Sequence, residues 1–446
     1  MHKCNRMTTM MKKLFLPLLL LVSVTLHAQR LLSLEEAIAT ALKNNYDIQL
    51  SKNDSMIAAL DYSYRNAVFL PRLNAAAGTT WNNNDQRQTL ADGTKREQNN
   101  LKSNNVNASV NLNWILFDGL KMFAIRDKAE EFVRLGELGI KNQVVNTVAT
   151  VISTYYNIVR QKQQLRAIEE QMSISQVRVD IAQRKLDIGS GAKPDVLQSK
   201  VDLNAQKAFQ LEQQTDIEQL KDLLNQLMNV KEAPVYDVAD SIPINTGITL
   251  GEIQNGIDST NPAILIARKN IDIAGITLRE RKAERWPTLS LNSVYNFTRT
   301  KNQTVINPFS PLFNQSSGFN YGLTAAIPIL NNFNTRRLIK QAELDINYQQ
   351  LVYDNQRTLL SVAVLTAFKE YEQQKKALAL EEENILLAKE NVSIALEVYR
   401  LGASTIVQLR EAQISILGAY DRLIAARYET KLAETELLRL RGELVR

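Results

Sequence analysis

The chain of 446 residues carries 53 Lys and Arg against 47 Asp and Glu, a formal charge of +6, with only two histidines and one cysteine. Lys3, Arg6, Lys12, Lys13, His2, His27 and Cys4 all fall within residues 1–28, so the remainder has a formal charge of +2 and neither histidine nor cysteine. Cys and His nucleophiles, the Ser-His-Asp triad, the usual zinc sites and disulfides are thereby excluded from it, and so small a charge implies no nucleic-acid partner. No catalytic residue, metal site or cofactor is expected, and the chain does not read as an enzyme.

The basic residues precede LFLPLLLLVSVTL at 14–26, with Ala28 behind it. A basic start, an apolar run too short to span a bilayer and a small residue at the end predict a cleaved signal peptide over 1–28. No later apolar run is long enough for a membrane helix, so a membrane-inserted mature chain must insert as strands.

Residues 33–229 form a first repeat. An opening helix stops at Pro71, and strands are expected at about 72–82 and 106–118. In VNASVNLNWILF (106–117), Val106, Ala108, Val110, Leu112 and Trp114 alternate with Asn107, Ser109, Asn111 and Asn113, the pattern of a strand apolar on one side and polar on the other. The polar stretch 83–105 reads as a long exposed loop. Proline is then absent from Pro71 to Pro194 and glycine from Ile140 to Ile188, which predicts one continuous helix near 119–187, on the order of 100 Å at 1.5 Å per residue. Val148, Val151, Ile152, Tyr155 and Val159 give it an apolar seam, and a partner helix at 194–229 completes a coiled-coil hairpin over 119–229.

The segment 230–248 joins this repeat to a second one over 249–446. At an offset of 216, Asn45 matches Asn261 and Pro71 matches Pro287; at 213, Gly189 matches Gly402 and Leu224 matches Leu437. Strands are expected at about 288–299 and 318–330, and a second hairpin at 332–442 with Leu378, Leu380, Ile385 and Leu387 on its apolar side. The connection 300–317 differs from its counterpart, because Pro308, Phe309, Pro311, Leu312 and Phe313 suit it for packing. Trp81, Tyr295, Phe297, Phe319 and Tyr321 toward the loop ends, with Trp114 and Trp286 toward the helix ends, suggest two aromatic girdles of a membrane barrel. Four strands cannot close a barrel, and three chains give the smallest open one, with twelve.

The duplicated unit, the two strand pairs, the LFDG step at 116–119 and the turns IGSGAKPDV (188–196) and LGASTIVQL (401–409) make the whole mature chain resemble the outer-membrane efflux protein family, the TolC-like channel-tunnels of Gram-negative bacteria. The fold class is thus mainly α with a small β part. The resemblance implies a homotrimer whose helical hairpins form an α-barrel tunnel in the periplasm, below a shared twelve-stranded β-barrel in outer-membrane lipid. It implies an exit duct of a tripartite efflux or type I secretion system, docked to a periplasmic adaptor and an inner-membrane transporter, with substrate choice left to the transporter. Asn107, Asn111, Asn113, Asn292, Asn296 and Asn320 would line the barrel lumen, and 230–248 would belong to a belt at the tunnel waist. Gly189, Ser190, Gly402, Ala403 and Ser404 would form adaptor-docking tips. Asp195, Tyr399, Gln408 and Glu411 would form the periplasmic gate, with Tyr399 bonded to Asp195. Gln408 and Ser404 depart from the acidic and basic residues frequent at those family positions. The competing reading is a secreted coiled-coil scaffold without a pore, which leaves the four alternating strands without a task.

Overall fold

The computed structural model describes residues 30–230 and 236–444, so the expected signal peptide lies outside the described residues. In chain order the elements are β1 (Arg30–Leu32), α1 (Leu34–Asn44), α2 (Tyr46–Ser63), a 3-10 turn (Arg65–Phe69), β2 (Arg72–Thr89), β3 (Lys95–Phe117), α3 (Lys121–Asp187) and α4 (Lys193–Met228). They continue with β4 (Tyr236–Val238), α5 (Leu250–Gln254), α6 (Ile257–Thr260), α7 (Pro262–Ala283), β5 (Thr288–Asn302), β6 (Phe313–Ala326), α8 (Asn334–Arg400) and α9 (Ile406–Arg441). The two repeats agree residue for residue in their hairpins: α3 and α8 each have 67 residues, and α4 and α9 each have 36. The chain divides into two compact units, each built from parts of both repeats. One holds the described residues up to Tyr46 with Asn146–Thr249 and Ala367–Arg439, and the other holds Asp47–Val145, Leu250–Thr366 and the residues from Leu440.

The second of these units contains a four-stranded antiparallel sheet in the order β2-β3-β5-β6. Its strands outrun the expected ones. The stretch 83–105 is no open loop, because β2 and β3 stay paired out to Thr89 and Lys95 and turn only over 90–94, where Gly93 supplies φ +83°. Its polar side chains favour the extension by bonding across the ladder, as Asn82 Nδ2 does to Ser103 Oγ at 3.2 Å and Asn83 Nδ2 to Asn100 Oδ1 at 3.3 Å. Likewise β6 starts at Phe313, and the shortened connection 303–312 is tied down by Gln303 N–H donating to Lys102 O at 2.9 Å, with Phe309 left exposed. The register also corrects the outer girdle: Tyr295 lies between Val110 and Phe319, in the middle of the apolar face.

Both long helices begin one step later than expected, after two consecutive residues in the left-handed region. These are Gly119 (φ +72°) and Leu120 (+71°) in the first repeat, and Asn332 (+53°) and Phe333 (+58°) in the second. Gly119 is also sterically required, since a Cβ there would sit 2.4 Å from Ala283 O and 2.7 Å from Trp286 Cβ. At the other end of each repeat an asparagine clips a helix terminus. Asn45 Nδ2 donates to Leu227 O at 2.9 Å, and in the other unit Asn261 Nδ2 donates to Leu440 O at 2.8 Å. Each bond satisfies a carbonyl that a helix end leaves orphaned.

In the first unit the seam of α3 is buried as the spacing predicts, through Val148, Val151, Ile152, Tyr155 and Val159. Between α8 and α9, Leu378, Ile385 and Val392 meet Ala412, Ile416, Ala419, Leu423 and Ala426, a 3-4 spacing on one helix against a 7-residue spacing on the other. Leu380 and Leu387 are not in this seam. Together with Ile394 and Leu401 they form a second one, also seven residues apart, that stays exposed in a single chain. The described part of the joining segment is pinned along the hairpins. Lys162 and Arg166 bind Asp240, Tyr155 Oη donates to Leu32 O at 2.8 Å, Tyr371 Oη donates to Asn245 O at 2.6 Å, and β4 pairs in parallel with β1. Residues 231–235 of that segment lie outside the described residues.

The two kinds of left-handed glycine should differ in sensitivity. Gly402→Ala meets nothing within 4 Å and should cost only the left-handed penalty of about 1–2 kcal/mol. Gly119→Ala adds a backbone clash and should lower the melting temperature of the detergent-solubilised protein considerably further; equal shifts would show that the approach of Ala283 is relaxed without cost.

Candidate functional site

The two hairpin turns are built alike. In each, a left-handed glycine closes the long helix with a reciprocal pair of backbone bonds. Gly189 N–H donates to Leu186 O and Ser190 N–H to Lys185 O; Gly402 N–H donates to Tyr399 O and Ala403 N–H to Val398 O. This is the Schellman closure, and it requires φ > 0 at the glycine, +74° and +79° here. Gly189, Ser190, Gly402 and Ala403 are exposed and Ser404 is half-buried. After the second turn, Thr405 and Gln408 form a capping box: Thr405 N–H donates to Gln408 Oε1 at 3.0 Å and Gln408 N–H to Thr405 Oγ1 at 3.4 Å. The amide of Gln408 therefore fastens the start of α9.

Among the described residues of one chain, no hydrogen bond joins Tyr399 to Asp195. Tyr399 is buried, and Lys185 of α3 holds it instead. The Lys185 Nζ donates to Tyr399 O at 2.8 Å and stands 4.0 Å from the centre of its ring. Burial pushes the Tyr399 hydroxyl above its ordinary pKa, with the charge of Asp195 adding to the rise and that of Arg178 opposing it. Asp195 is half-buried in the first turn of α4, where its carbonyl accepts from Ser199 Oγ at 2.8 Å.

A buried network the sequence reading missed joins the two hairpins. Arg178 of α3 is 1 % exposed; its Nη1 donates to Gln413 Oε1 of α9 at 2.7 Å and its Nη2 to Asp202 Oδ2 of α4 at 2.8 Å. Arg410 of α9 reaches the same Asp202 oxygen at 3.3 Å. Burial pulls the Arg178 guanidinium below its ordinary value and Asp202 opposes that. The signal was available, because Gln171, Ser175 and Arg178 continue the buried register of α3 with polar residues where apolar ones are expected. The second repeat has Asn391 and Ser415 at the corresponding positions. There the α8–α9 hairpin carries an open groove of about 580 Å³, lined by both and by Ala403, Ser404, Gln408 and Glu411. Glu411 is exposed.

On the sheet, register places Asn107, Asn111 and Asn113 of β3, Asn292 and Asn296 of β5, and Asn320 of β6 on one face. Asn113 Nδ2 donates to Asn292 Oδ1 at 2.7 Å and Asn292 Nδ2 to Thr324 Oγ1 at 3.1 Å, an amide–hydroxyl ladder across three strands. The opposite face is apolar, except for Ser293 and Ser317, from Leu289 and Phe117 to Ala108 and Phe297, about the length of a tilted membrane strand. Among the described residues no group of three or more His, Cys, Asp or Glu is placed to hold a metal, and no helix is long and apolar enough to cross a membrane.

A family model described as outer membrane efflux protein matches residues 37–230 and 257–443. The outer membrane efflux protein BepC of Brucella suis is 20 % identical over 435 residues, covering 97 % of this chain and 91 % of its own. The outer membrane protein TolC of Vibrio cholerae is 22 % identical over 393 residues, covering 85 % and 83 %. The crystal structure of the Campylobacter jejuni CmeC outer membrane channel superposes with a TM-score of 0.75 at 17 % identity, over 92 % of this chain and 85 % of that one.

The buried network gives a direct expectation. Asp202→Ala leaves the Arg178 charge buried without its carboxylate and should cost about 3–5 kcal/mol, whereas Arg178→Met combined with Asp202→Leu should recover most of it. Denaturant midpoints of the purified protein and both variants measure this; an Asp202→Ala midpoint equal to wild type would mean Arg178 is not held as described.

Proposed function

Because the chain belongs to the outer membrane efflux protein family, we propose that three copies assemble into a passive exit duct, a twelve-stranded barrel in the outer membrane continued by a helical tunnel in the periplasm. The observation that carries this reading is the set of surfaces a single chain leaves unfinished. Among the described residues both edges of the sheet, the outer sides of β2 and β6, are unpaired, and lipid does not tolerate open edges. With four alternating strands per chain, β6 of one copy meets β2 of the next antiparallel, so the ring closes without a break in pattern. In the first unit α8 exposes Leu380, Leu387 and Ile394, continued by Leu401 in the turn, while α4 exposes Leu197, Val201 and Leu211. These are coiled-coil seams that a neighbouring copy's hairpin would cover.

In this assembly the polar asparagine face lines the lumen, and the hairpin turns are the surface that a periplasmic adaptor grips, with an inner-membrane transporter beyond it. The groove beside Ser404 and Glu411 supports adaptor docking, since it is the place where the second hairpin lacks the buried pair of the first. Gating falls to the links between hairpins, Lys185 on Tyr399 and Arg178 with Arg410 on Asp202. Asp195 acts on Tyr399 through charge, and Gln408 through its helix cap. The signal peptide over 1–28 and the repeat boundaries at 229 and 249 belong to the same proposal.

Detergent-extracted protein should migrate as a trimer and conduct ions in planar bilayers; a stable, non-conducting monomer would overturn the assembly. Lys185→Met removes a charge-assisted hydrogen bond worth about 1.5–3 kcal/mol and should raise single-channel conductance. Tyr399→Phe keeps the ring and the carbonyl and should change conductance little. Glu411→Gln should lower cation selectivity without widening the pore; the reverse order of effects would place the constriction at Glu411.

A further inference from the structure

Between Arg72 and Asn82 of β2, the polar face of the sheet carries one fixed charge. From Asn74 to Asn82 on β2, and at the paired positions of β3, β5 and β6, its side chains are asparagine, serine, threonine, alanine, glycine and a single valine, Val294. The exception is Arg72, the first residue of β2, which is in register with Asn113 and on the same side as Asn74. It is exposed, and no hydrogen bond or ion pair is made by its guanidinium among the described residues. The corresponding position of the second repeat is Thr288, uncharged and opposite Ala326. The charge is therefore present once per chain.

We infer that Arg72 is the charge-selecting residue of the strand-built passage, a ring of three guanidinium groups that favours anionic solutes at the helix-side mouth of a wall otherwise indifferent to charge. This rests on the trimeric duct proposed above. The reasoning is one of range. Asn113 is the register partner of Arg72, so a solute beside it sits within a few ångströms of the ring. Asn107 pairs with Gly78, six residues further along β2, which at about 3.4 Å per residue is on the order of 20 Å away. The screening length is about 8 Å at physiological ionic strength, so the field of the ring is felt at Asn113 and is lost by Asn107. Nothing on the wall between them restores it, because amides and hydroxyls offer donors and acceptors to either sign of ion.

The chain's single cysteine is Cys4, so a Cys4→Ser background permits a clean test. Single cysteines at Asn113, Asn107 and Val110 would be reacted, in the assembled protein, with a cationic and an anionic methanethiosulfonate of similar size. Each rate would be divided by that of a free thiol. The anionic reagent should be favoured about tenfold at the Asn113 position and by less than about twofold at the Asn107 position. Arg72→Gln should abolish the preference at the former and Arg72→Lys should keep it. Equal normalised rates at Asn113, or a preference for the cation, would overturn the role of Arg72 while leaving the duct intact. Reaction at Asn107 and Asn113 no faster than at the lipid-side Val110 would show that the asparagine face is not a water-filled passage, and the duct itself would then fall.

Discussion

The unpaired backbone of β2 and β6 constrains everything else in this molecule. A four-stranded sheet with one apolar face is tolerable in water on its polar side only, and in lipid on neither edge, because each unsatisfied N–H or C=O there costs several kcal/mol. In the assembly proposed above, copies of the chain supply the missing pairing. Once they do, the helices that leave the sheet are fixed in number and spacing, and they too must meet neighbours. The exposed apolar seams of α4 and α8 are the same requirement expressed in helical form. Strand edges and helix seams thus call for one and the same partner, a further copy.

Duplication explains how one chain supplies such regular parts, and its breaks mark where regularity is not enough. The paired features are architectural: equal helix lengths, two Schellman closures, two double left-handed steps, two asparagine clips. The unpaired ones carry charge. Arg178 and Asp202 answer to Asn391 and Ser415, and Arg72 answers to Thr288. In the threefold assembly proposed above, a twofold-repeated chain would otherwise present six similar hairpins, with nothing to distinguish the proposed gating hairpin from the proposed docking one.

Much of this was legible in residue order because it rests on local chemistry. Long stretches without proline or glycine read as long helices, Gly189 and Gly402 end them for a steric reason, and alternation puts the asparagines of each strand on one side of it, which the register then joins into one face. What escaped depends on contacts between distant segments. The polar stretch 83–105 has the composition of a loop, yet the cross-strand amides of Asn82, Asn83 and Asn100 keep it in the sheet. Leu380 and Leu387 have the spacing of a core seam, and only the packing of α9 decides that Leu378 and Ile385 are chosen instead. Within one chain Tyr399 faces a lysine rather than the expected carboxylate because Lys185, in the last turn of α3, reaches both its ring and its carbonyl.

The polar register of Gln171, Ser175 and Arg178 is the costliest choice in the helical part. Apolar side chains at those positions would bind the hairpins more firmly, since a buried ion pair seldom outperforms well-packed hydrophobic residues. The polar seam instead makes its strength conditional. With Asp202 receiving both Arg178 and Arg410, the hairpins are held in one register; displaced from it, the same groups leave a buried guanidinium unpaired and are driven toward water. An apolar seam resists separation in every register by a similar amount. In the gating proposed above, a seam of this kind would favour two states, closed and paired or parted and hydrated. That is the property the gate proposed above would need, since its 67-residue helices would open by exchanging partners along such a seam.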